Sequence, residues 1–157
     1  MRCVRRSISG ARLTSFAAPA PQPKPRFDVK FQPDQLAGTN VISRHGPGEL
    51  WIGGSRFATG LLVPWVGAVL PWASGLPQDL CAADFEAVLA LKPEVVIFGS
   101  GARLRFVSPA LLRGLIERRI GVETMDTPAA CRTFNVLVSE GRCAVAALLP
   151  VPTAAQS

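Results

Sequence analysis

The sequence predicts an α/β fold, a three-layer sandwich with a mixed, mainly parallel central sheet and an N-terminal β extension. Three observations predict it. Residues 95–98 and 143–149 are unbroken apolar runs, the mark of strands covered on both faces. Helical patterns alternate with strands from residue 95 onward in the order strand, helix, strand, helix, strand, and right-handed crossovers lay such helices against a parallel sheet. Before them, residues 38–75 hold short β-like runs separated by Gly and Pro.

The elements follow in chain order. Residues 40–43 form a β-like run, and Gly46-Pro47-Gly48 makes a turn. Leu50-Trp51-Ile52 leads into Gly53-Gly54, a hairpin signal, with residues 57–63 as the returning strand. Pro64 and Pro71 predict edge strands or bulges. This β-rich part must either add strands to the main sheet or pack as a small second sheet. Residues 82–91 predict a helix with Phe85, Val88, Leu89 and Leu91 on its apolar stripe, ended by Lys92-Pro93. After the strand at 95–98, Ser108 is expected to cap a helix that begins at Pro109, buries Leu111, Leu112, Leu115 and Ile116, and ends on Gly121. A strand at 122–125 follows. Thr127 is the expected cap of the next helix, with Pro128 in its first turn, Cys131, Phe134, Leu137 and Val138 on its buried face and Gly141 at its end.

At 157 residues the chain suits one domain, and 48% hydrophobic against 18% charged residues is a globular rather than a disordered balance. Residues 28–150 are expected to form that single domain, with a loose tail at 151–157. The formal charge of +6 sits in residues 1–27, which carry Arg2, Arg5, Arg6, Arg12, Lys24 and Arg26 and no acid. The rest of the chain is formally neutral. That argues against a nucleic-acid partner, which needs a basic face on the folded domain.

Residues 1–27 admit three readings: a disordered leader, a mitochondrial presequence, or a start placed too early with translation beginning at Val29. The corresponding compartment is the cytoplasm of a bacterium, or the mitochondrion if the segment is a presequence. Arg-rich, Ala-, Gly- and Pro-rich composition points to a GC-rich bacterial genome. The apolar run at 61–73 is too short to span a bilayer and contains Pro64 and Pro71, so no transmembrane segment is expected. Cys3, Cys81, Cys131 and Cys143 are widely spaced and His45 is the single histidine, which excludes paired zinc ligands; no metal or cofactor is expected.

Two segments carry a resemblance. PEVVIFGSGARLRFVSP, residues 93–109, and RRIGVETMDTPAACRTFNVLVSEGRCAVAALLP, residues 118–150, contain in order a glycine-rich strand end, Gly-Val-Glu, Asp-Thr-Pro-Ala-Ala-Cys-Arg-Thr-Phe-Asn and Glu-Gly-Arg. This combination resembles the core of the complex I (NADH dehydrogenase) assembly factor three family, and the similarity extends over about residues 38–150. The resemblance implies a three-layer α/β sandwich with a mixed sheet. It also implies a role in assembling respiratory NADH dehydrogenase for eukaryotic members, beside bacterial and archaeal members of undefined activity. Relatives often have Tyr at the position of Phe134, and eukaryotic members can lack the arginine of Arg132, so the chain stands nearer the bacterial branch.

Candidate site residues cluster at one sheet end. Gly99, Ser100 and Gly101 can bring backbone N–H groups to an anion where ligands bind in open parallel sheets, but Leu104 stands where a dinucleotide fingerprint needs its third glycine. A tight structural turn is the competing reading. Thr127, Arg132 and Asn135 belong to the neighbouring strand end and can hold a small anion, or else cap, pair with Asp126 or Glu140, and bond local backbone. Arg103 and Arg105 suit an acidic partner, or are solvated loop charges. Cys131 near a helix N-terminus should have a lowered thiol pKa, but no base is placed beside it. Trp65 and Trp72 each follow a proline in the β extension and suggest an apolar protein interface. With no nucleophile–base set legible, the sequence predicts a non-catalytic protein-binding assembly factor, monomer or homodimer. Its partners would be NADH dehydrogenase subunits or other assembly factors. The alternative is a binder or enzyme for a small anion or nucleotide at the sheet end.

Overall fold

The computed structural model describes residues 38–73 and 75–153. The expected leader at 1–27, residues 28–37 of the expected domain and most of the expected tail lie outside them. The element order is β1 (Ile42–Gly46), β2 (Glu49–Ile52), β3 (Ser55–Phe57), β4 (Leu61–Pro64), β5 (Leu70–Pro71), a single 3₁₀ turn (Pro77–Asp79), α1 (Ala82–Leu89), β6 (Val95–Gly99), α2 (Arg113–Glu117), β7 (Gly121–Met125), α3 (Thr127–Ser139) and β8 (Ala144–Leu148).

Five strands form the main sheet in the order β5-β4-β8-β6-β7, and β1-β2-β3 form a second sheet. β6 pairs in parallel with β7 and β8, whereas β4 is antiparallel to both β8 and β5. The sheet is therefore mixed, with its parallel part in the βαβαβ half. Both alternatives for the β-rich region occur: β4 and β5 join the main sheet, and β1–β3 pack separately. The expected return strand at 57–63 is divided, because the chain changes sheets at Gly60. A side chain there would run into the Ala73 carbonyl oxygen, so the crossing requires glycine.

Strand alternation sorts the core into two layers. Leu61, Val63, Ile97, Ala144, Ala146 and Leu148 face α3 and the small sheet, meeting Ala130, Cys131, Phe134, Ile42, Leu50 and Ile52. Leu62, Val96, Phe98, Val145 and Ala147 face the other way, meeting Phe85 and Val88 of α1 and Leu115 of α2. That gives the three layers. β8 is buried along its whole length, and three of its five residues are alanine, which lets both layers approach it closely.

Pro71 lies on the edge strand β5. Pro64 ends β4 where only β8 still pairs, since β5 reaches no further than Leu62, so the missing N–H is spared. On the small sheet, Glu49 pairs with Arg56 at 2.6 Å and Arg44 at 3.6 Å, and Arg44 lies 5.3 Å from the Trp51 ring centroid. The Glu49 carboxyl is held below the usual carboxylate range, first by the Trp51 indole N–H and then by the two guanidiniums. The indole Nε1 makes no full hydrogen bond, so it acts as a nearby dipole.

Three helix termini differ from expectation. Residues 109–112 are turns, α2 begins only at Arg113, and Ile116 is exposed rather than buried. The left-handed residue that ends α2 is Arg119 (φ 57°), and Gly121 already belongs to β7. The N-cap of α3 is Asp126, whose carboxylate accepts the Ala129 N–H at 2.8 Å, and not Thr127. Past β8, Val151 bridges Pro47 and accepts the Gly48 N–H at 2.6 Å.

Candidate functional site

Parallel register brings the ends of β6 and β7 together, with Gly99 opposite Met125. The Gly-Ser-Gly turn that leaves β6 is closed by its own hydrogen bonds. The Ser100 N–H donates to the Met125 carbonyl, and the Gly101 N–H donates to Thr127 Oγ1 at 2.9 Å. Thr127 Oγ1 in turn donates to the Leu149 carbonyl at 2.6 Å, and the Thr127 N–H donates to the Gly101 carbonyl. Thr127 is fully buried. It is freed from capping by Asp126 and instead ties the ends of β6 and β8 to the start of α3. Gly101 takes φ 99°, a conformation other residues rarely adopt. Gly99 is filled from outside: a side chain there would meet Leu148, Thr127 and Ala130. The backbone donors that would cradle an anion are thus engaged with protein acceptors.

Ser100, 3% exposed, anchors the loop that follows. Its hydroxyl lies 2.9 Å from the carbonyls of both Arg103 and Met125, which share its one proton, and it accepts the Arg105 N–H at 2.9 Å. Beside this loop lies a cleft of about 270 Å³ lined by Leu76, Pro77 and Pro152 together with Ser100, Arg103 and Arg105. The cleft gathers those three candidates but not Thr127, Arg132 or Asn135. Arg132 is exposed on α3 and forms no ion pair with Asp126 or Glu140 among the described residues. Asn135 does not bond local backbone. Its amide donates to the Ile42 carbonyl and accepts the Ile42 N–H, both at 2.9 Å, clamping α3 to β1.

Trp72 is committed inward. Its indole donates to the Asp84 carbonyl at 3.0 Å and meets Phe85 and Phe98 edge-on. Trp65 is half-buried against both core layers. Large apolar side chains are left open beside them at Val66 and Leu70, on the helices at Ile116 and Val136, and in the loop after β6 at Leu104 (51% exposed) and Phe106 (78%, the most exposed of these). Sequence reading weighed the arginines of this segment as a binding feature and Leu104 only as a departure from a nucleotide fingerprint. The signal available was two large apolar residues in a loop that belongs to no periodic pattern.

Cys131 reverses its expectation. Burial pushes its thiol up to about 12, overriding the lowering effect of Arg132. Between pH about 9 and 12 the folded state then holds a proton that the unfolded state has lost, so this group lowers stability as pH rises and contributes nothing below that window. At pH 8 the folded protein should therefore react with a thiol reagent at exposed Cys81, with Cys131 labelled about 10³-fold more slowly. Peptide mass spectrometry would read this, and equal rates at the two cysteines would mean the α3 face opens readily. Among the described residues no cluster of His, Cys, Asp and Glu could hold a metal ion, and no helix is long and apolar enough to cross a membrane.

The family described as protein of unknown function (DUF498/DUF598) matches residues 42–149, from the first strand to the end of the last. The chain belongs to this family. Similar proteins named NADH dehydrogenase [ubiquinone] 1 alpha subcomplex assembly factor 3 occur in cattle and zebrafish. The cattle protein is 42% identical over 87 residues, 54% of this chain and 47% of its own length. The zebrafish protein is 37% identical over 124 residues, 78% of this chain and 70% of its own. The match to the cattle protein thus spans about half of that relative. Among solved structures, a Bordetella pertussis protein described as a Mth938-like domain superposes with a TM-score of 0.68 at 28% identity, covering 76% of this chain and 92% of that one. The three-layer α/β fold and the family resemblance over about residues 38–150 are both met.

Proposed function

We propose that this chain is a non-catalytic, protein-binding assembly factor for respiratory NADH dehydrogenase. One observation carries the reading: the zebrafish relative bearing the assembly-factor name aligns over 78% of this chain at 37% identity. Local chemistry favours it over catalysis. The buried thiol of Cys131 is held protonated, and the turn at Gly99–Gly101 spends its N–H groups on its own fold. The protein acts in the cytoplasm of a bacterium, or in the mitochondrion if residues 1–27 are a presequence, as a monomer or homodimer, with NADH dehydrogenase subunits or other assembly factors as its partners. The competing reading, a small-anion site, draws on the cleft beside Arg103 and Arg105.

The test is affinity capture of the tagged full chain from gently solubilised source cells, with mass spectrometry of what is retained. Enrichment of NADH dehydrogenase subunits or of other assembly factors is expected. Recovery of the chain alone would overturn the reading and return attention to anions at the cleft.

A further inference from the structure

We propose that loop 102–107 and the cleft beside it form the docking surface, and that its occupant is an acidic segment of the partner protein carrying apolar side chains. The inference rests on the assembly-factor reading and specifies where and by what chemistry the partner is held.

Three features meet here. Phe106 and Leu104, on the loop outside the cleft, stand 78% and 51% exposed, and Leu76, which lines the cleft, is 43% exposed. Loops normally leave such side chains out, because apolar surface in water gains nothing for the fold. Second, Arg103 and Arg105 alternate with them, and neither has an ion-pair partner among the described residues, where every paired arginine is elsewhere. No acidic side chain lines the cleft. Third, the loop is built to hold its shape: the buried Ser100 hydroxyl fixes the backbone at both Arg103 and Arg105. Preorganised loops lose less freedom on binding. Exposed aromatic and arginine side chains on a fixed backbone are the composition of interface anchors.

The chemistry of the occupant follows from complementarity. Two unpaired guanidiniums call for carboxylates, which they can grip in a bidentate manner. Leu104, Phe106 and Leu76 call for apolar side chains between those carboxylates. A chain segment fits better than a lipid surface, because the cleft is concave, about 270 Å³, and takes a side chain rather than a flat bilayer. Two arginines are also too few for firm attraction to anionic lipid.

The test uses the full tagged chain with Phe106→p-benzoylphenylalanine, photolysed in gently solubilised source cells, beside the same label at exposed Val136. Crosslinks from position 106 should map by mass spectrometry to a partner segment with at least two carboxylates near an apolar side chain, and position 136 should give none to that segment. The double variant Arg103→Glu/Arg105→Glu should retain about tenfold less of that partner, and Leu104→Ser/Phe106→Ser should do the same without altering charge. All four side chains are exposed, so the thermal transition should not move. Crosslinks to lipid, to a second copy of the chain, or to a segment without acids would overturn the proposal, as would undiminished retention by the charge-reversed variant. In those cases partner capture by the unchanged protein leaves the assembly-factor reading standing. If the unchanged protein retains no partner, that reading fails and the surface falls with it.

Discussion

Thr127→Val is expected to destabilise the protein by about 3 kcal/mol, although valine matches threonine in shape. The Thr127 hydroxyl is fully buried and serves two backbone groups at once, taking the Gly101 N–H and giving its own proton to the Leu149 carbonyl. Valine puts a methyl group in the same place and leaves a donor and an acceptor without partners in a dry region. Each such orphan costs about 1–3 kcal/mol, more than the hydrogen bond itself contributes. Thr127→Ser separates the causes. It keeps both bonds and loses only a methyl, for about 1 kcal/mol. Urea unfolding followed by tryptophan fluorescence would show the midpoint fall with an unchanged slope. Equal effects of valine and serine would mean that the hydroxyl is not what ties the strand ends. The substitution should also loosen the Gly101 turn and the loop beyond it. If loop 102–107 is the partner surface, Thr127→Val weakens partner capture without touching any exposed residue.

Thr127 also shows where sequence reading reaches its limit. A threonine ahead of a proline at a helix start reads as a cap, because local spacing is all a sequence displays. Asp126, one residue earlier, caps α3 instead, and the hydroxyl of Thr127 turns to strand ends 26 and 22 residues away in the chain. Apolar periodicity was legible because it is local: β6, β8 and the buried stripe of α3 follow from it, and their order predicts the three layers. The division of the β-rich region was not legible. Residues 57–63 look like one strand, and the break at Gly60 is imposed by the Ala73 carbonyl, a contact between distant residues. Of the candidate residues, Ser100, Arg103 and Arg105 meet at the cleft, and Gly99 and Gly101 form the turn beside it. The direction of their hydrogen bonds and the exposure of Phe106 were not legible, since both depend on the folded turn. The buried place of Cys131 on α3 was legible, but the lowered thiol pKa expected from its helix position was not met, because packing of α3 against both sheets pushes the thiol up.

Asn135→Leu should cost about 2–3 kcal/mol, and its damage should be local in a way that identifies the cause. In the small sheet β1 is an edge strand, and at Ile42 its outward backbone meets α3 instead of another strand. The Asn135 amide answers both backbone groups of Ile42, its oxygen accepting and its nitrogen donating, as a neighbouring strand would. Leucine is near in size and suits the surrounding apolar cluster, so the loss comes from two polar groups deprived of partners. Hydrogen exchange at the Ile42 amide should rise steeply, while amides of β6 and β8 should stay protected up to global unfolding. Asn135→Asp makes the test sharper. At neutral pH a carboxylate can still accept the Ile42 N–H, but its second oxygen faces the Ile42 carbonyl and repels it. That repulsion raises the folded-state pKa of the new carboxyl, so the folded form binds the proton more tightly than the unfolded one. Stability should therefore recover as pH falls toward about 4, where the protonated acid can donate to Ile42 again. Leucine at this position has no proton to gain and should show no such recovery. If both variants lose the same stability at every pH, the clamp is apolar packing and the amide geometry is incidental. If aspartate alone regains stability on acidification, the paired hydrogen bonds to Ile42 are what fasten the small sheet to α3.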